Sequence, residues 1–312
     1  MSSVLVVGQE RSTLVHHLVQ RLDASMLVFS IDRFADAEML VTFSSPEPID
    51  HDIVLVVFQF VFGAMPEAKK LSVNDQILGL LQMLDALRTR GARAIRLVLP
   101  YLPYARQERA VFMLGRCLKA LGVQEIVVCD MHDAMICPMF PIPLHNFSTA
   151  ALWTDLIQKN IIKDAGGNVC VGSPDQGGRA RAQALAALLA VPCVYAKKNR
   201  VAPDKAVAYE LIGDVRGKTV FLVDDIIDTG NTAASACAML KDEGALRIYG
   251  FFTHAVFSND QQLQRIQGCF EKIFVTDSVF NTLVERPASM IQKISLNPFL
   301  SRFNNGKTDD ER

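Results

Sequence analysis

The 312-residue sequence has no Cys-x-x-Cys pair, no excess of charge of either sign, and no apolar run long enough to cross a bilayer. Each absence excludes a class of protein. The seven cysteines, at 117, 129, 137, 170, 193, 237 and 269, are odd in number and scattered, most of them inside apolar runs such as IVVCD and NVCVG. That argues against a disulfide framework and for reduced core thiols, so a cytoplasmic protein is expected. The 32 Lys and Arg against 33 Asp and Glu give a formal net charge of −1, which makes no case for nucleic acid as a partner. The opening MSSVLVVGQER has no basic region followed by a signal-length apolar stretch. The apolar run from Ile53 to Met65 contains Gln59 and is too short for a span, so no membrane association is expected either.

Half the residues are hydrophobic and 21% are charged, proportions ordinary for a globular α/β chain, and the length suggests two domains. Apolar strand-like runs alternate with helix-like ones throughout, which points to parallel sheets with right-handed crossovers. Strands are expected at Ser3–Val7, Asp52–Phe60, Ala94–Leu99, Gly122–Val128, Asn168–Gly172, Val191–Tyr195, Val220–Val223, Leu246–Thr253 and Lys272–Val275. Ser72 and Asp75 are placed to cap a helix over Gln76–Arg88, and another is expected over Arg179–Leu189. The pattern restarts near 140–150. This gives an N-terminal domain over 1–145 and a C-terminal domain over 146–312, with a polar tail (304–312) expected to be disordered.

The densest stretch is VFLVDDIIDTGNTAASACAML, Val220 to Leu240. A buried strand runs into Asp224 and Asp225, then into the turn-rich Asp228-Thr229-Gly230-Asn231-Thr232, then into an alanine-rich helix. The first turn of a helix has unpaired N–H groups and the positive end of the dipole, so a phosphate fits there. Gly230 permits close approach of backbone to an anion, and Thr229 and Thr232 add hydroxyl donors. Acids beside a phosphate cradle suit a ligand that also presents sugar hydroxyls or a bridging Mg2+. The bland alternative is a solvated acidic helix cap.

Other segments offer chemistry with plainer alternatives beside it. Phe34, Asp36 and Glu38 alternate in RFADAE, which on its own reads as a surface hairpin. Arg106 and Gln107 in YARQER follow a strand end and present a guanidinium suited to polyphosphate oxygens, or simply form a charged turn. His132 in DMHD emerges past a strand end between two acids, as a phosphate donor, a neighbour of Mg2+ or a structural histidine. Asp175 in SPDQGG precedes two glycines at a helix start, a second anion- and metal-competent turn. Lys198 and Arg200 lie in KKNR at the end of another strand.

In this order, RFADAE, SVNDQILGLLQMLDALR, YARQER, DMHD, SPDQGG, KKNR, IGDV and VDDIIDTGNT resemble the ribose-phosphate pyrophosphokinase (PRPP synthetase) family along nearly the whole chain. The last loop alone is shared with type I phosphoribosyltransferases, which lack the YARQ and DMHD elements. The resemblance implies two tandem phosphoribosyltransferase-like α/β domains, and transfer of the diphosphoryl group of ATP to C1 of ribose 5-phosphate, giving PRPP and AMP for nucleotide biosynthesis. It implies Lys198 and Arg200 as catalytic residues. It assigns Phe34, Asp36 and Glu38 to ATP of a neighbouring subunit, Arg106, Gln107 and His132 to ATP in the same chain, and His132 and Asp175 to Mg2+. Asp224, Asp225, Asp228, Thr229, Gly230, Asn231 and Thr232 fall on ribose 5-phosphate. A homo-oligomer, dimer or hexamer, is expected on the same ground.

The sequence departs from the family pattern in three places. AVFMLGRCLKALGV enters a helix almost directly after Arg109, where the family has a longer basic loop. Ala37 replaces the family's Gly, and the phosphate loop ends TGNT instead of TGGT. The missing loop keeps open a second reading, a family member that binds sugar phosphate or nucleotide and acts as a regulatory subunit.

Overall fold

In a computed structural model the chain is described over residues 3–65, 70–162, 167–199, 208–286 and 290–300, with only the backbone described at 197–199, 208, 209 and 299. The first half contains β1 (Val4–Gly8), α1 (Thr13–Leu22), β2 (Ser25–Arg33), β3 (Met39–Phe43), β4 (Ile53–Val57), β5 (Val61–Phe62), α2 (Val73–Thr89), β6 (Ile95–Val98), α3 (Glu108–Ala120), β7 (Val123–Cys129), a 3-10 turn at Ala134–Met139 and β8 (Leu144–Phe147). The second contains α4 (Ala150–Asn160), β9 (Val169–Ser173), α5 (Arg179–Leu189), β10 (Cys193–Asn199), β11 (Ala208–Ile212), β12 (Thr219–Ile227), α6 (Asn231–Asp242), β13 (Arg247–Ala255), α7 (Asp260–Arg265), β14 (Lys272–Thr276), β15 (Phe280–Asn281), β16 (Ile291–Ile294) and α8 (Asn297–Leu300).

Each half forms a seven-stranded sheet, and the two orders correspond strand for strand: β3-β2-β1-β4-β6-β7-β8 and β11-β10-β9-β12-β13-β14-β16. The central strands are parallel, and one antiparallel hairpin closes an edge of each sheet. Central runs such as Val54–Val57 and Val220–Val223 are fully buried because helices cover both faces, as a parallel sheet requires. The chain passes from the first sheet to the second between Phe147 and Ala150, since β8 pairs with β7 while α4 packs beside α5.

The halves are joined by more than a linker. β5 and β15 pair in parallel, Val61 with Phe280 and Phe62 with Asn281. Gln59, buried, accepts from Ser12 and donates to the Asp277 carbonyl. The buried Asp130 carboxylate accepts from the Thr149 amide at 3.1 Å and from the hydroxyls of Thr149 and Thr253. Leu296 and Leu300 return from the second half to pack with Val6, Leu14 and Leu18 of the first.

Two strands run further than the apolar pattern indicates. β12 continues through Asp224 and Asp225 to Ile227, because β13 keeps pairing with it as far as Ala255. β10 continues through Lys197 and Lys198 to Asn199, paired with the edge strand β11, a position where charged residues are tolerated.

Candidate active site

The carboxyl end of β12 lies at the seam between the halves and forms one wall of a cleft of about 250 Å³. The chain leaves the strand at Ile227 and turns through Asp228, Thr229 and Gly230 into α6. Gly230 is the residue that makes the turn possible: its φ is +77°, and a Cβ there would meet Ile266 Cγ2 at 2.9 Å and the Gln262 carbonyl at 3.1 Å. Gly230 has no side chain with which to cap α6, so apart from the Asn231 amide its first-turn amides have no side-chain cap and are open to a ligand. Thr229 Oγ1 accepts from the Asn231 amide at 3.4 Å, and Arg265 donates to the Thr229 carbonyl at 2.6 Å, holding the loop from outside.

The opposite wall comes from the first half. Arg106 Nη1 donates to Asp228 Oδ2 at 3.1 Å, and His132 Nδ1 is 2.9 Å from Asp225 Oδ2. Arg181, on α5 and 14% exposed, reaches Asp224 Oδ1 at 3.1 Å and Asp225 Oδ1 at 3.6 Å. Adjacent strand residues point to opposite faces, yet this guanidinium engages both carboxylates. Their titration is driven apart. Burial, and then the neighbouring charge of Asp225, push Asp224 well above the usual carboxylate range. Burial acts the same way on Asp225, but the His132 hydrogen bond and Arg181 outweigh it and hold that carboxyl well below the range. The hydrogen bond to Asp225 in turn raises His132.

Asp175 also lines the cleft, with Oδ1 accepting from the Gly178 amide at 3.1 Å in the turn before α5. Among the described residues no group of three or more His, Cys, Asp or Glu side chains converges as a metal cage. Asp224, Asp225, Asp228, Thr229, Gly230, Thr232, Arg106, His132 and Asp175 therefore share one cleft. Asn231 opens α6 beside it, and Gln107 stands at the N-terminus of α3 with no side-chain cap bond. Phe34, Asp36 and Glu38 lie elsewhere, on the exposed tip of the β2–β3 hairpin, where Phe34 is 51% exposed and Asp36 Oδ1 accepts from the Glu38 amide. Ala37 sits at that tip with φ +73°, the region glycine occupies most readily. The Lys198 backbone, on β10, pairs with Tyr209 of β11; the Lys198 side chain, Arg200 and the tail at 304–312 lie outside the described residues. Arg181 and Arg265 escape sequence reasoning. Only the position of Arg181 just inside the helix after Gly178 hints at it, and nothing local marks Arg265.

Two stacked α/β units with a sugar-phosphate type of loop on the second define a chain built from tandem phosphoribosyltransferase-type domains. Residues 3–118 match the N-terminal domain of ribose phosphate pyrophosphokinase, and residues 148–285 match the phosphoribosyl transferase domain. A ribose-phosphate pyrophosphokinase of Bacillus caldolyticus is 31% identical over 280 residues, 87% of this chain and 84% of that protein. One from Pasteurella multocida is 32% identical over 286 residues, 88% and 86% of the two chains. The crystal structure of phosphoribosylpyrophosphate synthetase from Mycobacterium smegmatis superposes with a TM-score of 0.78 at 28% identity, covering 96% of this chain and 97% of that one. The chain belongs to the ribose-phosphate pyrophosphokinase family.

Proposed function

We propose that the protein is a ribose-phosphate diphosphokinase: the C1 hydroxyl oxygen of ribose 5-phosphate attacks the β-phosphorus of ATP, the α,β phosphoanhydride bond breaks, AMP leaves and PRPP forms. The observation that carries this reading is the pairing of an uncapped helix N-terminus at Gly230 with the carboxylates of Asp224 and Asp225. The amides and the helix dipole suit the 5-phosphate, and the carboxylates suit ribose hydroxyls as acceptors. Arg106 and His132 face them from the other half and suit the polyphosphate. Transfer of this kind rests on alignment and on neutralising charge that spreads over the nonbridging oxygens.

A divalent metal fits the donor set. Mg2+ binds through one or two carboxylates and completes its shell with substrate phosphates and water, which needs no protein cage. Asp175 would hold it with His132 nearby, and Asp224 and Asp225 supply further hard oxygens. When bound, the ion would neutralise phosphate charge. Lys198 and Arg200 would add cations near the transferred group, and the hairpin with Phe34, Asp36 and Glu38 would reach ATP of a neighbouring subunit in a homo-oligomer. A cytoplasmic setting suits both substrates. Phosphorus NMR of the protein mixed with ATP, Mg2+ and ribose 5-phosphate is the direct test, with PRPP and AMP expected in equal amounts. Retained ribose 5-phosphate binding without either product would favour the regulatory-subunit reading, which the direct start of α3 at Glu108 keeps in view.

A further inference from the structure

The SVNDQ stretch at the start of α2 does not line the substrate cleft, yet it touches the segment that aims Arg106 into it. Tyr104, between Pro103 and Ala105, has φ +63°. A side chain in that left-handed region is uncommon, and for a residue as bulky as tyrosine it is an outlier that persists only where the surroundings impose it. A glycine would make the same turn without strain. The tyrosine is therefore held by what its side chain contacts: the ring packs against the first-half core, and the hydroxyl donates to Asn74 Oδ1 at 2.6 Å.

This turn sets the course of the chain beyond it. The Gln107 amide donates back to the Tyr104 carbonyl at 2.7 Å, Ala105 is buried, and α3 starts at Glu108 with no loop between. Arg106 is left to cross the seam to Asp228. Its side chain is 48% exposed, and a 3.1 Å pair between two such open groups is too weak to fix so long a side chain by itself. The direction of the guanidinium then depends on the backbone that carries it, and so on Tyr104. The other end of the tyrosine hydrogen bond is firm. Asn74 lies in the first turn of α2, where Ser72 Oγ accepts from the Asp75 amide at 3.1 Å and Asp75 accepts from the Ser72 amide at 2.8 Å. Asp75 also pairs with Arg33 at the base of the β2–β3 hairpin.

We infer that the hydrogen bond from Tyr104 to Asn74 positions Arg106 for ATP, by keeping the turn at Tyr104 in its left-handed form so that the guanidinium is presented to the polyphosphate. This rests on the assignment of Arg106 to ATP. Neither Tyr104 nor Asn74 lines the cleft, so both act through Arg106 and are positioning residues.

Calorimetric titration of a non-hydrolysable ATP analogue with Mg2+ into the full chain tests this. Tyr104→Phe keeps the ring and removes only the hydroxyl, and Asn74→Ala removes the acceptor from the other side. Each should weaken the analogue about fivefold, as one lost hydrogen bond does, and leave ribose 5-phosphate affinity within about twofold. Arg106→Ala should weaken the analogue too, and adding Tyr104→Phe to it should cost nothing further, because the group being positioned is gone. Full analogue affinity in Tyr104→Phe or Asn74→Ala, an equal fall in ribose 5-phosphate affinity, or an undiminished effect of Tyr104→Phe beside Arg106→Ala would overturn the proposal and leave Arg106 with ATP. Full analogue affinity in Arg106→Ala would overturn both the proposal and the assignment beneath it.

Discussion

Arg181 links two carboxylates that would otherwise repel each other with little water to screen them. Removing one partner from a mostly buried charge cluster leaves the others uncompensated. Arg181→Gln is expected to lower stability by about 3 kcal/mol and to weaken ribose 5-phosphate binding; an unchanged urea midpoint would contradict the role. The Arg106–Asp228 pair is more exposed, so Arg106→Ala should cost under about 1 kcal/mol in stability while reducing kcat/KM for ATP. Lys198→Ala should keep the fold and cut turnover on the order of a hundredfold, the usual loss of a transition-state cation; wild-type turnover would end its catalytic assignment. That the acids and the turn after Asp228 share one cleft was legible, because their types and spacing mark a strand end running into a helix start. Arg181 and Arg265 were not, because their reach to Asp224 and Thr229 depends on where α5 and α7 pack, which no local pattern encodes.

Helices α2 and α6 follow equivalent strands and open in opposite ways. α2 supplies its own acid through Ser72 and Asp75, whereas α6 begins at a left-handed glycine that has no side chain to cap it. Ser72→Ala should lower stability by about 1 kcal/mol and leave ribose 5-phosphate affinity alone. Gly230→Ala, strained by its positive φ and by Ile266, should instead raise the dissociation constant for ribose 5-phosphate, as equilibrium titration would show; equal affinity would mean that the loop does not hold the phosphate. The Ser72 cap and the span of α5 were readable from side-chain type and apolar spacing. The ends of β10 and β12 were not. Polar residues usually mark a strand's end, but here Asp224 and Asp225 stay in the ladder because Arg181 and His132 meet them, and the lysines of β10 stay because β11 pairs along an edge.

At the scale of the molecule, two copies of one sheet order are locked by a polar seam in which His254 is wholly buried, 3.0 Å from the Cys129 carbonyl and 2.9 Å from Ser278 Oγ. Burial lowers its pKa to about 4. The unfolded chain therefore binds a proton first, and the stability tied to neutral His254 is complete above about pH 6.5 and is lost as pH falls towards 4, about 3 kcal/mol in all. The raised His132 acts with the opposite sign, its contribution present at low pH and lost as pH rises, but it is half exposed and weaker. Thermal melts between pH 7 and 4 should show the loss, with a flatter profile in His254→Gln. Alternating strands and helices made two α/β halves legible; the seam was not, since β5 and β15 are too short to register and Gln59 looks like a strand residue. The same seam brings Arg106 and His132 of one half against Asp225 and Asp228 of the other, so the account turns on where the sugar phosphate sits. A crystal structure with ribose 5-phosphate bound tests that most directly: its phosphate should lie against the amides of residues 229–232 with ribose hydroxyls at Asp224 and Asp225, and a sugar bound elsewhere with that loop empty would contradict the account.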